Sequence, residues 1–158
     1  GAGAFFRAAR EVGRRIGRGI TCLGTELDPS ALRQAQESGL SPDDLAHVEL
    51  RDFLSCPPQG PFNAIVANPP YIRHHRIPPQ TKAFLRSFAS RLTGVLIDGR
   101  AGLHVYFLLR ALERLDSGGR LAFIMPADTC EGVFAPALWR WRPDASQDLR
   151  VPARRRRS

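Results

Sequence analysis

The residues best equipped for chemistry stand at the end of an apolar run. Phe62 to Ala67 reads as a buried β-strand and leads straight into Asn68-Pro69-Pro70-Tyr71. Two consecutive prolines cannot continue a sheet ladder, because neither has an N–H to give. The chain must therefore leave the strand in a stiff, preset shape. An amide side chain, free backbone carbonyls and an aromatic ring are then held at the strand's carboxyl end, where open α/β sheets bind ligands. These parts suit the gripping of an amino group on a planar base. A bare Asn-Pro-Pro would read as an ordinary strand-to-loop exit; the tyrosine, the strand before it and two upstream acids favour the chemical reading.

Those acids are Glu26, which closes the strand-like run 20–27, and Asp52, which follows a strand from His47 to about Arg51 and precedes Phe53. Either alone would pass for a solvated strand-end charge, but at successive strand ends they reinforce one another. Gly1-Ala2-Gly3 stands before a helix, in the manner of a glycine loop. Arg73, Arg76 and Lys82, just past the motif, are placed to meet phosphates. His74 and His75 are adjacent, so their side chains diverge, and with no third ligand they imply no metal site. Cys56 lies between Ser55 and Pro57 rather than after a proline, which disfavours a covalent thiol mechanism. Trp139 and Trp141 alternate with Arg140 and Arg142; a helix end packing one tryptophan explains this better than base stacking does.

The elements that must position these residues follow from periodicity and punctuation. Phe5, Ala9, Val12 and Ile16 recur at helical spacing until Gly17 and Gly19. Asp28-Pro29 opens a second helix that Gly39 closes, and Ser41-Pro42-Asp43-Asp44 starts a short further turn. The stretch 57–61 is loop. A helix is expected over about 81–89, and a stronger one from about Leu103 to Leu115, with Leu103, Phe107, Ala111 and Leu115 on its core stripe. Gly118-Gly119 ends it, and Leu121 to Met125 forms a buried strand stopped by Pro126. This order predicts an α/β sheet with crossover helices.

Bulk properties bound the reading. At 158 residues and 43% apolar, the chain supports one domain with a core. Three widely spaced cysteines, Cys22, Cys56 and Cys130, argue against a disulfide framework or zinc site and for a reducing compartment. No apolar run approaches a membrane span, so a cytoplasmic protein without a membrane partner is expected. The net charge of +8 invites a polyanion. Much of it is arginine usage, since Lys82 is the lone lysine among 23 basic residues and four arginines form the run 154–157. Residues 1–139 form the expected catalytic domain, and 140–158 an Arg/Pro-rich tail expected to lack structure.

Taken together, Asn68-Pro69-Pro70-Tyr71 after a hydrophobic strand, with the acids in order before it, resembles the catalytic core of class I S-adenosylmethionine-dependent adenine-N6 DNA methyltransferases. The resemblance covers roughly Gly1 to Trp139. It implies a Rossmann-like sheet, S-adenosyl-L-methionine as cofactor, and double-stranded DNA with a flipped adenine as substrate. Gly1 and Gly3 then resemble the end of the cofactor loop, Glu26 the ribose-binding acid, and Asp52-Phe53 the pair that takes the cofactor's adenine. By the same likeness, Asn68 and the Pro69 carbonyl hold the target amino group while Pro70 stiffens the corner and Tyr71 stacks on the base. The segment 101–107 and the run 115–126 look like the restriction-modification branch. Its helix often begins Asp-Leu-Tyr, and here Gly102 and His104 take the outer two positions.

The same four-residue motif occurs in glutamine-N5 methyltransferases acting on protein, but their Glu-Pro segment after the motif is not evident here. RNA methylation is not excluded by the motif. The resemblance also implies that the strand before the glycine loop, the closing strands and a target-recognition domain are missing. On that expectation the isolated chain is a truncated form that binds cofactor weakly and is inactive or unstable.

Overall fold

The computed structural model describes residues 3–127 together with 129, 135 and 136. Gly1, Cys130, Trp139, Trp141 and the 140–158 tail lie outside the described residues. In chain order the elements are α1 (Ala4–Ile16), β1 (Gly24–Glu26), α2 (Pro29–Glu37), α3 (Pro42–Leu45), β2 (Val48–Leu50) and β3 (Phe62–Ala67). A 3-10 turn (His74–Arg76), α4 (Pro79–Thr93), α5 (Leu103–Arg114) and β4 (Leu115–Phe123) follow.

Local chemistry sets the helix ends. α1 stops at Gly17, whose positive φ of 63° lets its N–H reach back to the last carbonyls. Asp28 caps α2 by accepting from the Ser30 N–H, with Pro29 preset at the first helical position. Ser41 and Asp44 form a reciprocal capping box on α3, and the Ser41 backbone N–H holds the Asp44 carboxyl below its usual range.

The strands form two parallel pairs. β1 pairs with β2, Glu26 opposite Leu50, and β3 pairs with β4, Ala67 opposite Phe123. The α/β class is as expected, but among the described residues the sheet is two pairs rather than one continuous layer. β1 is shorter than the run 20–27, and Ile20 and Leu23 remain exposed. β3 is not buried: it gains a partner on one side only, and Val66 keeps 52% of its surface exposed. Gly118-Gly119 does not separate helix from strand. β4 begins at Leu115, where α5 ends, and the glycines lie in a bulge between the Phe62–Leu115 and Ala64–Arg120 pairings, with Gly118 at a φ of 73°. α4 is longer than the expected 81–89 because nothing before Gly94 breaks its ladder.

The core is helical rather than sheet-centred. α4 supplies Leu85, Phe88 and Ala89, and α5 is buried on nearly every side from His104 to Leu112 instead of along one stripe. Each fully buried leucine, such as Leu85 or Leu109, contributes about 2 kcal/mol of transfer free energy. The apolar stripe of α1 behaves oppositely: its periodicity produces the helix, yet Phe5, Val12 and Ile16 are exposed, Ile16 at 58%. α5 is thus the buried element against which the neighbouring loops are set.

Candidate functional site

Asn68 follows the last residue of β3, and both prolines turn the chain away from the ladder there; Pro69 is buried while Asn68 and Pro70 face solvent. The Tyr71 hydroxyl lies 2.7 Å from Asn68 Oδ1 and 2.8 Å from the Ile124 carbonyl oxygen, and its single proton is shared between these two acceptors. Because the Ile124 N–H bonds the Ala67 carbonyl at 3.0 Å, the exits of β3 and β4 are tied through this tyrosine. An amide oxygen has two lone pairs, so Asn68 Oδ1 keeps acceptor capacity beside this contact. The Tyr71 ring is 49% exposed and meets the edge of the His104 ring, centroids 6.1 Å apart and planes at 81°.

The two departures at the start of α5 fit one another. Gly102 is the N-cap of α5, and a Cβ there would meet the His104 ring at 2.7 Å and the Ile72 carbonyl at 3.1 Å. The imidazole fills the space that a capping side chain at 102 would need. The Leu103 N–H donates to the Ile72 carbonyl at 2.9 Å, fastening the chain after the motif to the helix start.

Glu26 ends β1 and Asp52 follows just after β2, at the adjoining carboxyl ends of one parallel pair, where the Arg51 N–H bonds the Glu26 carbonyl at 3.0 Å. Glu26 Oε1 accepts from the N–H groups of Leu27 at 2.7 Å and Asp28 at 3.0 Å; Oε2 accepts none among the described residues. Beside it, the Ser30 hydroxyl holds the Asp28 carboxyl below its usual range. Asp52 organises its own turn: Oδ1 accepts from the Leu54 N–H at 3.0 Å, Oδ2 from the Ser55 hydroxyl at 2.7 Å, and its carbonyl from the Cys56 N–H at 2.9 Å. The half-exposed Phe53 stacks on Phe107, centroids 5.6 Å apart and planes at 23°. Gly3 is the left-handed N-cap of α1 at a φ of 71°, and a Cβ there would strike the Leu40 side chain at 2.6 Å.

The corner of residues 68–71 and the acidic corner meet through α5. His104 touches Tyr71, Phe107 touches Phe53, and Arg110 donates from Nε and Nη2 to the Leu54 carbonyl at 3.1 and 2.6 Å. Three residues apart, these side chains share one helix face, each about 4.5 Å along the axis from the next. Sequence reasoning reached Phe107 only as core and missed Arg110, although one charge inside an apolar run such as 105–112 is a signal of a buried partner.

Arg73 and Arg76 are exposed at the 3-10 turn, and Lys82 is half-buried on α4. The His74 and His75 rings meet edge to face with centroids 5.4 Å apart, and among the described residues no group of three His, Cys, Asp or Glu could hold a metal. An open groove of about 420 Å³, lined by Arg86, Ser87 and Arg91 among others, lies on α4 and includes none of the motif residues. No described helix is long and apolar enough to cross a membrane.

Comparison with known proteins accords with this arrangement. Residues 25–149 match the Eco57I restriction-modification methylase family, a span that begins after Gly3 and runs on past Trp139. The chain is 33% identical over 123 residues to the type II methyltransferase M.XamI of Xanthomonas campestris pv. amaranthicola, covering 75% of this chain and 23% of that protein. To M.XhoI of Xanthomonas vasicola it is 41% identical over 99 residues, 63% of this chain and 17% of that one. It is also 26% identical over 125 residues to a release factor glutamine methyltransferase of Clostridium acetobutylicum, 75% of this chain and 43% of that protein. The chain therefore spans about a quarter or less of the type II relatives named here. With most of its length matched, it belongs to the Eco57I restriction-modification methylase family.

Proposed function

We propose that this chain carries the catalytic corner of an S-adenosylmethionine-dependent DNA methyltransferase that modifies the N6 amino group of adenine. The observation that carries the reading is Asn68 Oδ1, directed at the open end of β3 by the Tyr71 hydroxyl. The names of the type II relatives support DNA as the substrate. The donor set fits the cofactor's adenosine: Glu26 Oε2 has an acceptor to offer a ribose hydroxyl, Asp52 can accept from the adenine amino group, and Phe53 can cover the ring. Gly3, with Gly1 before it, would pass close to the cofactor at the start of α1. When bound, the cofactor supplies an electrophilic sulfonium methyl group.

The target nitrogen is a poor nucleophile because its lone pair is delocalised into the ring. Asn68 Oδ1 and the Pro69 carbonyl accept its two hydrogens, which favours tetrahedral geometry and turns the lone pair outward. Pro69 and Pro70 keep these acceptors from moving, so orientation is set before the reaction. The Tyr71 ring stacks on the flipped base and offsets part of an unstacking cost of roughly a few kcal/mol. Arg73, Arg76 and Lys82 would meet the phosphates beside it.

The test is methyl transfer from labelled cofactor by the full-length protein, offered duplex DNA, RNA and release-factor protein in parallel. Label is expected in duplex DNA, and Asn68→Ala should abolish it while cofactor binding persists. Undiminished transfer by Asn68→Ala would remove the assignment of this corner.

A further inference from the structure

We propose that Arg110 is a positioning residue for the cofactor's adenine, acting with Phe107 to hold the Asp52–Cys56 turn; the proposal rests on the functional reading above. Arg110 is 7% exposed in the middle of an apolar helix. A buried guanidinium is costly unless its charge and its N–H groups are all matched. The charge is met on its own helix by Glu113, 2.6 Å from Nη1, and the guanidinium also lies over the Phe88 ring, 3.8 Å from its centroid. Neither contact requires the rest of the fork to reach another element. Yet Nε and Nη2 both converge on the Leu54 carbonyl, 56 residues away in sequence.

That carbonyl belongs to the turn that orients the proposed adenine acceptor. The Leu54 N–H and the Ser55 hydroxyl bond the two oxygens of Asp52, so the carboxylate takes its direction from the turn, and the turn takes its position from Arg110. One helical turn earlier, Phe107 backs the Phe53 ring. The two contacts fix both elements of the subsite, the acceptor and the stacking ring, to one rigid helix. A planar fork suits this task, because two parallel N–H groups set direction as well as distance, which a lysine ammonium does not.

The discriminating experiment measures, on the full-length protein, dissociation constants for S-adenosylhomocysteine and for its hypoxanthine analogue, which lacks the amino group that Asp52 would receive. The intact protein should prefer the adenine form by about tenfold, the worth of one well-placed hydrogen bond. Arg110→Lys, which keeps the charge, and Phe107→Leu, which keeps most of the volume, should each shrink that preference to about threefold or less. Ile97→Val, a core change outside the 52–56 turn, should lower the melting temperature and leave the preference intact. A folded Arg110→Lys protein with the full preference overturns the proposal, as does an intact protein that binds both analogues equally. Failure of the intact protein to bind S-adenosylhomocysteine at all would instead overturn the functional reading on which the proposal stands.

Discussion

Replacing Tyr71 by phenylalanine separates the two tasks proposed for one side chain. The ring, 49% exposed, remains available to stack on a base, while the hydroxyl whose one proton is shared between Asn68 Oδ1 and the Ile124 carbonyl is lost. A hydrogen bond in so open a place is worth about 1 kcal/mol, and here it restrains the amide oxygen. If that restraint matters only when the target nitrogen is gripped, the loss falls on the chemical step, about fivefold in kcat, with cofactor affinity unchanged. Tyr71→Ala removes the ring as well, and stacking adds about 1–3 kcal/mol, so its deficit in kcat/KM should be larger by about five- to 150-fold. Single-turnover methylation under saturating cofactor reads both variants directly. Equal activity of Tyr71→Phe and the intact protein would show that the hydroxyl does not position Asn68, and equal deficits in the two variants would remove the ring from base binding.

Three further outcomes follow from the packing. Tyr106→Phe should raise stability by about 1 kcal/mol in urea unfolding, because the Tyr106 hydroxyl is wholly buried with no hydrogen-bond partner among the described residues, and that burial also pushes its pKa up. Gly102→Ala should lower stability by about 1–3 kcal/mol and weaken catalysis, since its methyl would drive the His104 ring from Tyr71; His104→Ala in the same chain should restore much of the melting temperature. The Arg100 guanidinium holds the Asp98 carboxyl down at about 2, against an ordinary 3.8, so its contribution to stability is complete above the ordinary value and is lost as pH falls through the lower one. Melting curves for Asp98→Asn should therefore lose part of the pH dependence between those two limits.

What the sequence made legible was punctuation and order. Asp28-Pro29, Ser41-Pro42 and Gly17 fall where helices begin or end, because capping is decided within four residues. That Glu26 and Asp52 fall at successive strand ends was readable too, and parallel pairing then brings those ends together. What escaped was whatever depends on partners distant in the chain. The apolar run 62–67 has the composition of a buried strand, but burial depends on neighbours, and the pair it forms leaves Val66 in the open. The glycines at 118–119 looked like a helix stop, whereas α5 had already ended and they serve a bulge set by the register against β3. Arg110 was hidden for the same reason: its meaning lies in the Leu54 carbonyl, which no local spacing reveals.

The identity of the methylated product tests the central claim most directly. After reaction of the full-length protein with labelled S-adenosylmethionine and mixed-sequence duplex DNA, digestion to nucleosides followed by mass spectrometry locates the new methyl group. The arrangement of Asn68, Pro69 and Tyr71 predicts label in N6-methyladenosine of the deoxy series and its disappearance with Asn68→Ala. Label on a cytosine carbon, or on a glutamine of release-factor protein with none in DNA, would contradict it.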